Sequence, residues 1–276
     1  MTAVAEPAAR PARTGGSTLS DTLVVTWRNL KRIPRIPELA AFAILQSVMF
    51  VLLFAFVFGG AIIVPGGSYR EYLMPGIFAQ TLAFASATTT IGITDDMQKG
   101  LVDRFRSLPM SRLSFPTGRT IADVVYNLGI LIVLMVSGLA VGWRIRDGFV
   151  SFLAGLAIAL LFAYAMSWLG VYVGQLVPTV EVAQQVAFTV VFPITFISNA
   201  FVPLESLPGW LQPFAEWNPV STLTASMRDF FGNTLGQPPR DTFPAEHPVL
   251  LTVLWCVLIV AIFAPLAVRK YRDTSK

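Results

Sequence analysis

Six long runs almost free of charge, separated by short basic or proline-rich stretches, set the pattern of this chain. They cover residues 40–63, 72–94, 120–143, 149–177, 182–202 and 248–268, and only Asp123, near the start of the third, interrupts them. Each has 21 or more residues, roughly 30 Å of helix at about 1.5 Å per residue, enough to cross a ~30 Å hydrocarbon core. The pattern predicts an all-α integral membrane protein with six transmembrane helices.

The segments between the runs have patterns of their own. Met1 to about Ser17 is rich in Ala, Pro, Arg and Gly without an apolar period, and is expected to be a disordered tail. No apolar stretch follows its arginines, so a signal peptide is not expected. Leu19, Leu23, Trp27, Leu30 and Ile33 then recur at helical steps, with Arg28, Lys31, Arg32 and Arg35 on a basic side. This predicts an amphipathic elbow helix over residues 18–37, lying in the headgroup plane with Trp27 and Leu30 on its apolar face. Pro34 and Pro37 break it before the first run. Between the second and third runs, Leu101, Phe105 and Leu108 fall at i, i+4, i+7, with Lys99, Asp103, Arg104 and Arg106 on the other sides. Pro109 ends that short helix, and residues 97–109 read as a handle that a soluble partner could push, or as a solvated loop that only fixes topology. Between the fifth and sixth runs, residues 205–231 are apolar and aromatic but cut by Pro208 and Pro213. Asn218-Pro219 reads as an N-cap followed by proline at N1, so two short helices are expected, as a hairpin in the outer leaflet.

Composition agrees with the membrane reading. The 276 residues are 54% hydrophobic and 13% charged, about half the ~25% charge of a soluble domain, so a water-facing exterior could not be covered. A net charge of +4 could suggest nucleic acid, but the basic residues sit in short juxtamembrane clusters, which fits orientation in a bilayer instead. With the amino terminus inside, 15 Lys and Arg face the cytoplasm and 5 (Arg70, Arg144, Arg146, Arg228 and Arg240) face out. The expectation is therefore a multi-pass protein of the plasma (inner) membrane with both termini cytoplasmic, residues 269–276 forming the second tail.

Chemistry narrows the function further. One histidine, His247, and one cysteine, Cys256, cannot assemble a His/Cys zinc site within one chain. There is no HExxH and no GxSxG turn, so an enzyme is not expected. The middles of the six runs lack the Asp, Glu or His that proton-coupled carriers place there, and Asp123 reads as a local i, i+4 partner of Arg119. No Gly-Lys-Ser/Thr of a Walker A motif occurs. Uphill transport would need an ATPase on a separate polypeptide, with 97–109 as its docking element. An apolar path is suggested by Phe188, Phe192 and Phe196, with Asn199 continuing roughly the same face, and by Gln80, Phe84 and Thr88 on the second run. Aromatic rings with sparse hydrogen-bonding groups suit an amphipathic solute, although such phenylalanines also serve ordinary helix packing.

Residues 96–112, Asp96 through Arg112, resemble the cytoplasmic motif of ABC-2 type permeases of the daunorubicin/doxorubicin-resistance branch. Asn199-Ala200-Phe201-Val202-Pro203-Leu204, Leu207 to Gln212 and Asn218-Pro219-Val220-Ser221 resemble that branch's outer segment. Gln98 and Lys99 stand where the family usually has an acidic–basic pair. The resemblance implies an ABC-2, type V exporter-like fold and a half-permease that dimerises, expected as a homodimer, and binds two copies of a separate ABC ATPase subunit. Its coupling helix would use Gly100, Leu101, Asp103, Arg104, Phe105, Arg106, Leu108 and Pro109. No cofactor is expected on this chain, ATP and magnesium belonging to the partner. A hydrophobic substrate, a drug or antibiotic or a lipid, would pass between the copies and out of the cell, with no nucleic acid involved. Two rivals stay open: export of cell-surface polysaccharide or lipid, and a non-transporting membrane scaffold or sensor.

Overall fold

A computed structural model describes residues 18–32, 37–58, 68–106, 110–111, 113–234 and 241–273. Among them every regular element is helical. Helix α1 (Thr18–Arg32) is followed by α2 (Pro37–Leu52), which runs on as a π-helix over Leu53–Phe58. Then come α3 (Tyr69–Gln98), the short α4 (Leu101–Arg106), α5 (Ser114–Ala140), α6 (Gly148–Gly174) and α7 (Val180–Phe196). After a single 3-10 turn at Leu204–Ser206, α8 (Gln212–Trp217), α9 (Pro219–Phe231), α10 (Phe243–Glu246) and α11 (Pro248–Asp273) complete the chain.

Four helices among the described residues are long and apolar enough to cross a membrane: Tyr69–Gln98, Ser114–Ala140, Gly148–Gly174 and Pro248–Arg272. Two other apolar helices are shorter, Ile44–Val57 and Val180–Phe196. The fifth apolar run, read over 182–202, is helical only to Phe196. Beyond it the chain turns, because Asn218 donates to the carbonyls of Ile194 and Ile197 (2.6 Å each) and holds the helix end against the start of α9. The residues of the first run beyond Phe58 lie outside the described residues.

Helix α3 sits at the centre, packed on α5, α6, α7 and α9. Its contact with α6 follows from small residues. A Cβ at Gly170 would meet the Ser86 carbonyl oxygen at 2.5 Å, and one at Gly174 the Thr90 carbonyl oxygen at 2.7 Å. This four-residue glycine spacing lets two backbones approach closely inside a membrane. The approach brings the Thr90 and Thr94 hydroxyls to the Gly170 and Gly174 carbonyls, at 3.3 and 3.0 Å. Around α3 the main core gathers Phe78, Trp143 and Phe231, whose rings meet edge to face at 5.3–6.3 Å. A second cluster near α4 joins Val25, Ile93, Val102, Phe115, Trp168 and Tyr271. Leu254, Val257, Val136 and Val150 are among many large apolar side chains left exposed on the outside. An exterior of this kind is suited to lipid.

The two short helices expected between the fifth and sixth runs are present as α8 and α9. Asn218 caps α9 through Val220 N (2.8 Å), with Pro219 at N1 and Gly232 left-handed (φ 69°) at its end. Helix α9 is largely buried between α3, α6 and α11, whereas Trp210 ahead of α8 and Phe214 and Trp217 within it are exposed.

Candidate functional site

Five of the residues assigned to the apolar path come together. Gln80, Phe84 and Thr88 of α3 and Phe188 and Phe192 of α7 line one cavity of about 340 Å³. The helical step of four puts each set on one face of its helix, and α3 packing on α7 brings the Phe84 and Phe188 rings to 5.7 Å. Helices α2 and α5 add Gln46 and Phe50, and Tyr126 and Asn127, to its lining, while Phe188, Phe192 and Thr88 stay exposed at its open side. Sequence reasoning passed over the α2 and α5 residues because it took each run alone. Gln46, Tyr126 and Asn127 were marked only as polar residues inside an apolar run, and Phe50 carried no mark at all.

The hydrogen-bonding state of the cavity wall is uneven. Thr81 spends its hydroxyl on the Ile77 carbonyl (2.8 Å), and Asn127 donates to the Asp123 carbonyl (2.8 Å). Gln80 is 6% exposed and hydrogen-bonds no other described residue, so its carboxamide opens on the cavity. No described residue lining the cavity carries a charge.

Phe196 and Asn199 lie apart from this cavity. Phe196 stacks on Phe192 (4.3 Å) and meets Phe201 at 5.5 Å. Asn199 follows the end of α7, so it cannot share that helix's face. Its carbonyl accepts from Tyr72 Oη (3.0 Å) and Arg228 Nη2 (2.9 Å) beside a second cavity of about 560 Å³. Arg228, placed among the outer charges by the charge count, is buried. Its guanidinium lies 3.5 Å from the Tyr72 ring centroid and donates from Nε and Nη2 to the Tyr72 carbonyl at 3.1 and 3.0 Å. It staples the turn after α7 to the first turn of α3.

At the α4 end, helix α3 runs through Met97 and Gln98, so the short helix begins later than the expected 97. Lys99 ends α3, paired with Asp95 at 2.7 Å, and Gly100 adopts φ 64°, a conformation that disfavours any side chain. Gly100, Leu101, Asp103, Arg104, Phe105 and Arg106 form the break and α4; Leu108 and Pro109 lie outside the described residues. Arg104 is exposed and Leu101 half-buried. The anchor is Val102, fully buried in the second cluster, which the i, i+4, i+7 pattern passed over. Gln98 Nε2 reaches the Pro178 carbonyl ahead of α7 (3.3 Å).

Above α4 lies an ion cluster larger than the expected Arg119–Asp123 pair. Arg119 is 3.2 Å from Asp123 and 3.8 Å from the buried Asp96, and Thr89 donates to Asp123 at 2.7 Å. Helix α1 braces the start of α5: Thr26 donates to the Gly118 carbonyl (3.1 Å), and the Ser111 amide donates to Asp21 (3.0 Å). Val25 packs against Gly118. This leaves Leu19, Leu23 and Trp27 exposed and Leu30 half-buried, with Lys31 Nζ 5.1 Å from the Trp27 ring. The face that α1 buries is partly polar, Thr22, Thr26 and Asn29 beside Val25, and its apolar row points away from the protein.

Comparison with known proteins agrees with this architecture. The family model for the ABC-2 type transporter matches residues 20–231. The daunorubicin resistance ABC transporter permease protein DrrB1 of Streptomyces coeruleorubidus is 29% identical over 266 residues, covering 96% of this chain and 90% of that protein. A probable doxorubicin resistance ABC transporter permease protein, DrrC of Mycobacterium tuberculosis, is 28% identical over 265 residues, covering 93% and 90%. A putative transport permease, ycf38 of Cyanophora paradoxa, is 23% identical over 220 residues, covering 78% and 76%. A multi-pass helical chain with an uncharged chamber between α3 and α7, matched by this model over most of its length, belongs to the ABC-2 type transporter family of membrane permeases.

Proposed function

We propose that this chain is the permease subunit of an ATP-driven exporter that moves hydrophobic or amphipathic compounds, drug or antibiotic in character, out of the cell. The observation that carries the reading is the chamber between α3 and α7, where aromatic rings meet uncharged hydrogen-bonding groups in a chain whose relatives are named drug-resistance permeases. Six crossings are proposed, with α2 and its π-helical extension and α7 as the two shorter ones and both termini cytoplasmic. Two copies would form the exporter in the inner membrane, each bound to a separate ATPase subunit that holds ATP and magnesium. The segment 97–109 would dock that subunit, with α4 as the contact and the glycine break at Gly100 as its hinge. The amphipathic α1 would lie on the inner leaflet as the elbow helix.

The test is Phe105→Ala in α4. With the ATPase co-expressed, the variant is expected to insert normally and the complex to keep hydrolysing ATP, while export of a hydrophobic dye from cells falls at least tenfold. Export at the parental rate would remove the docking role from this segment.

A further inference from the structure

We propose that the larger cavity, about 560 Å³ at the end of the molecule away from α4, binds a short peptide with both end charges, its carboxylate pointing inward. Helices α3, α8, α9, α10 and α11 and the turn after α7 all contribute to its lining. The inner wall holds a cation. Arg228 is 6% exposed, and its Nε and Nη2 are spent on the carbonyls of Tyr72, Asn199 and Ala200. Only Nη1 is left without a described hydrogen-bond partner, so the guanidinium opens on the cavity through that nitrogen. No carboxylate among the described residues pairs with it. A charge this far from water lacks its counter-ion, and an anionic group that reaches Nη1 supplies one through a charge-assisted hydrogen bond. Beside it, the side-chain oxygen of Asn199 is buried with no hydrogen-bond partner, an acceptor without its N–H.

The mouth has the opposite sign. Glu205, Asp229 and Glu246 are exposed and Glu216 is half-buried around the open side. A plain anion has to pass these carboxylates to reach Arg228, and a plain cation drawn in by them meets a guanidinium inside. A molecule with a carboxylate at one end and an ammonium at the other answers both. A peptide adds the third group, because its amide N–H can donate to the Asn199 side chain. The volume lies within the range of ligand cavities (about 300–1,000 Å³) and has room for a di- or tripeptide. This site is separate from the uncharged chamber between α3 and α7 and does not depend on reading that chamber as the path. Arg228 joins the turn after α7 to the first turn of α3, so a peptide held on Nη1 also tightens that joint.

Three peptides of one length separate the charges: trialanine, with both; N-acetyl-trialanine, an anion; and trialanine amide, a cation. Binding is measured by isothermal titration calorimetry on the purified full-length chain in phosphatidylcholine nanodiscs, with empty nanodiscs subtracted. Trialanine is expected to bind at least tenfold more tightly than either blocked peptide and to raise the melting temperature of the chain. Asp229→Asn combined with Glu246→Gln, two exposed positions, should weaken trialanine and tighten N-acetyl-trialanine until the two bind within threefold of each other. Arg228→Lys, which keeps the charge and loses the planar fork, should weaken trialanine at least tenfold; if that variant does not fold, the mouth variant still decides. A blocked peptide that binds the parental chain as tightly as trialanine overturns the proposal, and so does an unchanged preference in the mouth variant. If no peptide binds above empty nanodiscs the site falls, while the permease reading stands or falls separately on dye export.

Discussion

Arg119 shows how much a single position can hold. Its guanidinium lies over Gly92, where any Cβ would collide with it, and stands between Asp96 and Asp123. Removing the cation takes the counter-charge from Asp123 and one ion-pair partner from the buried Asp96, a loss of up to about 3–5 kcal/mol for a broken buried pair. Arg119→Gln is therefore expected to lower the melting temperature in detergent far more than Asp123→Asn, which keeps the Arg119–Asp96 contact. Equal melting of the two variants would mean that the cluster is solvated and contributes little. Half of this cluster was legible in the sequence, because Arg119 and Asp123 are one helical turn apart. Asp96 and Thr89 belong to α3, and no spacing rule connects them to α5. The same limit hid Tyr126 and Asn127 of the chamber. A polar residue in an apolar run announces that it needs a partner, but not which helix supplies it.

Among the elements, the pairing of α3 with α6 offers the sharpest comparison. Thr94→Val removes one hydroxyl–carbonyl bond between helices, and such bonds inside membranes average about 0.6 kcal/mol. Gly174→Leu forces a side chain against the Thr90 carbonyl and Ile93, an overpacking that costs about 1–3 kcal/mol or more. Thermal unfolding in detergent should therefore rank Gly174→Leu well below Thr94→Val. The reverse order would mean that hydrogen bonds, rather than backbone approach, hold these helices together. Long apolar runs made the helical architecture legible, since a bilayer admits few other backbones. Where helices stop was harder to read. The end of α7 at Phe196 depends on a bond from Asn218, and the burial of α9 depends on neighbours that come from both before and after it in the chain. The amphipathic pattern of α1 was visible, but which face meets protein was not, because Thr22, Thr26 and Asn29 compete with a stronger apolar row that is left exposed.

For the whole molecule, the two ends of the segment around α4 are fastened to different bodies. Gln98, before α4, reaches the connection ahead of α7, whereas Ser111, after it, is tied to Asp21 of α1. We predict that a push on α4 moves α5 and α1 together, because Thr26 and Val25 hold α1 against Gly118. Helix α1 presents Leu19, Leu23 and Trp27 outward and carries Lys31 beside them. A basic residue at an anionic surface is held by about 1 kcal/mol. In vesicles containing the complete exporter, replacing zwitterionic lipid by anionic lipid should slow ATP-driven export without lowering the melting temperature, and Lys31→Gln should restore part of the rate. Indifference of the rate to headgroup charge would show that α1 rides freely. On the proposed coupling through α4, an anionic leaflet that holds α1 would resist that movement, and a cell that altered its phospholipids would change the export rate without touching the gene.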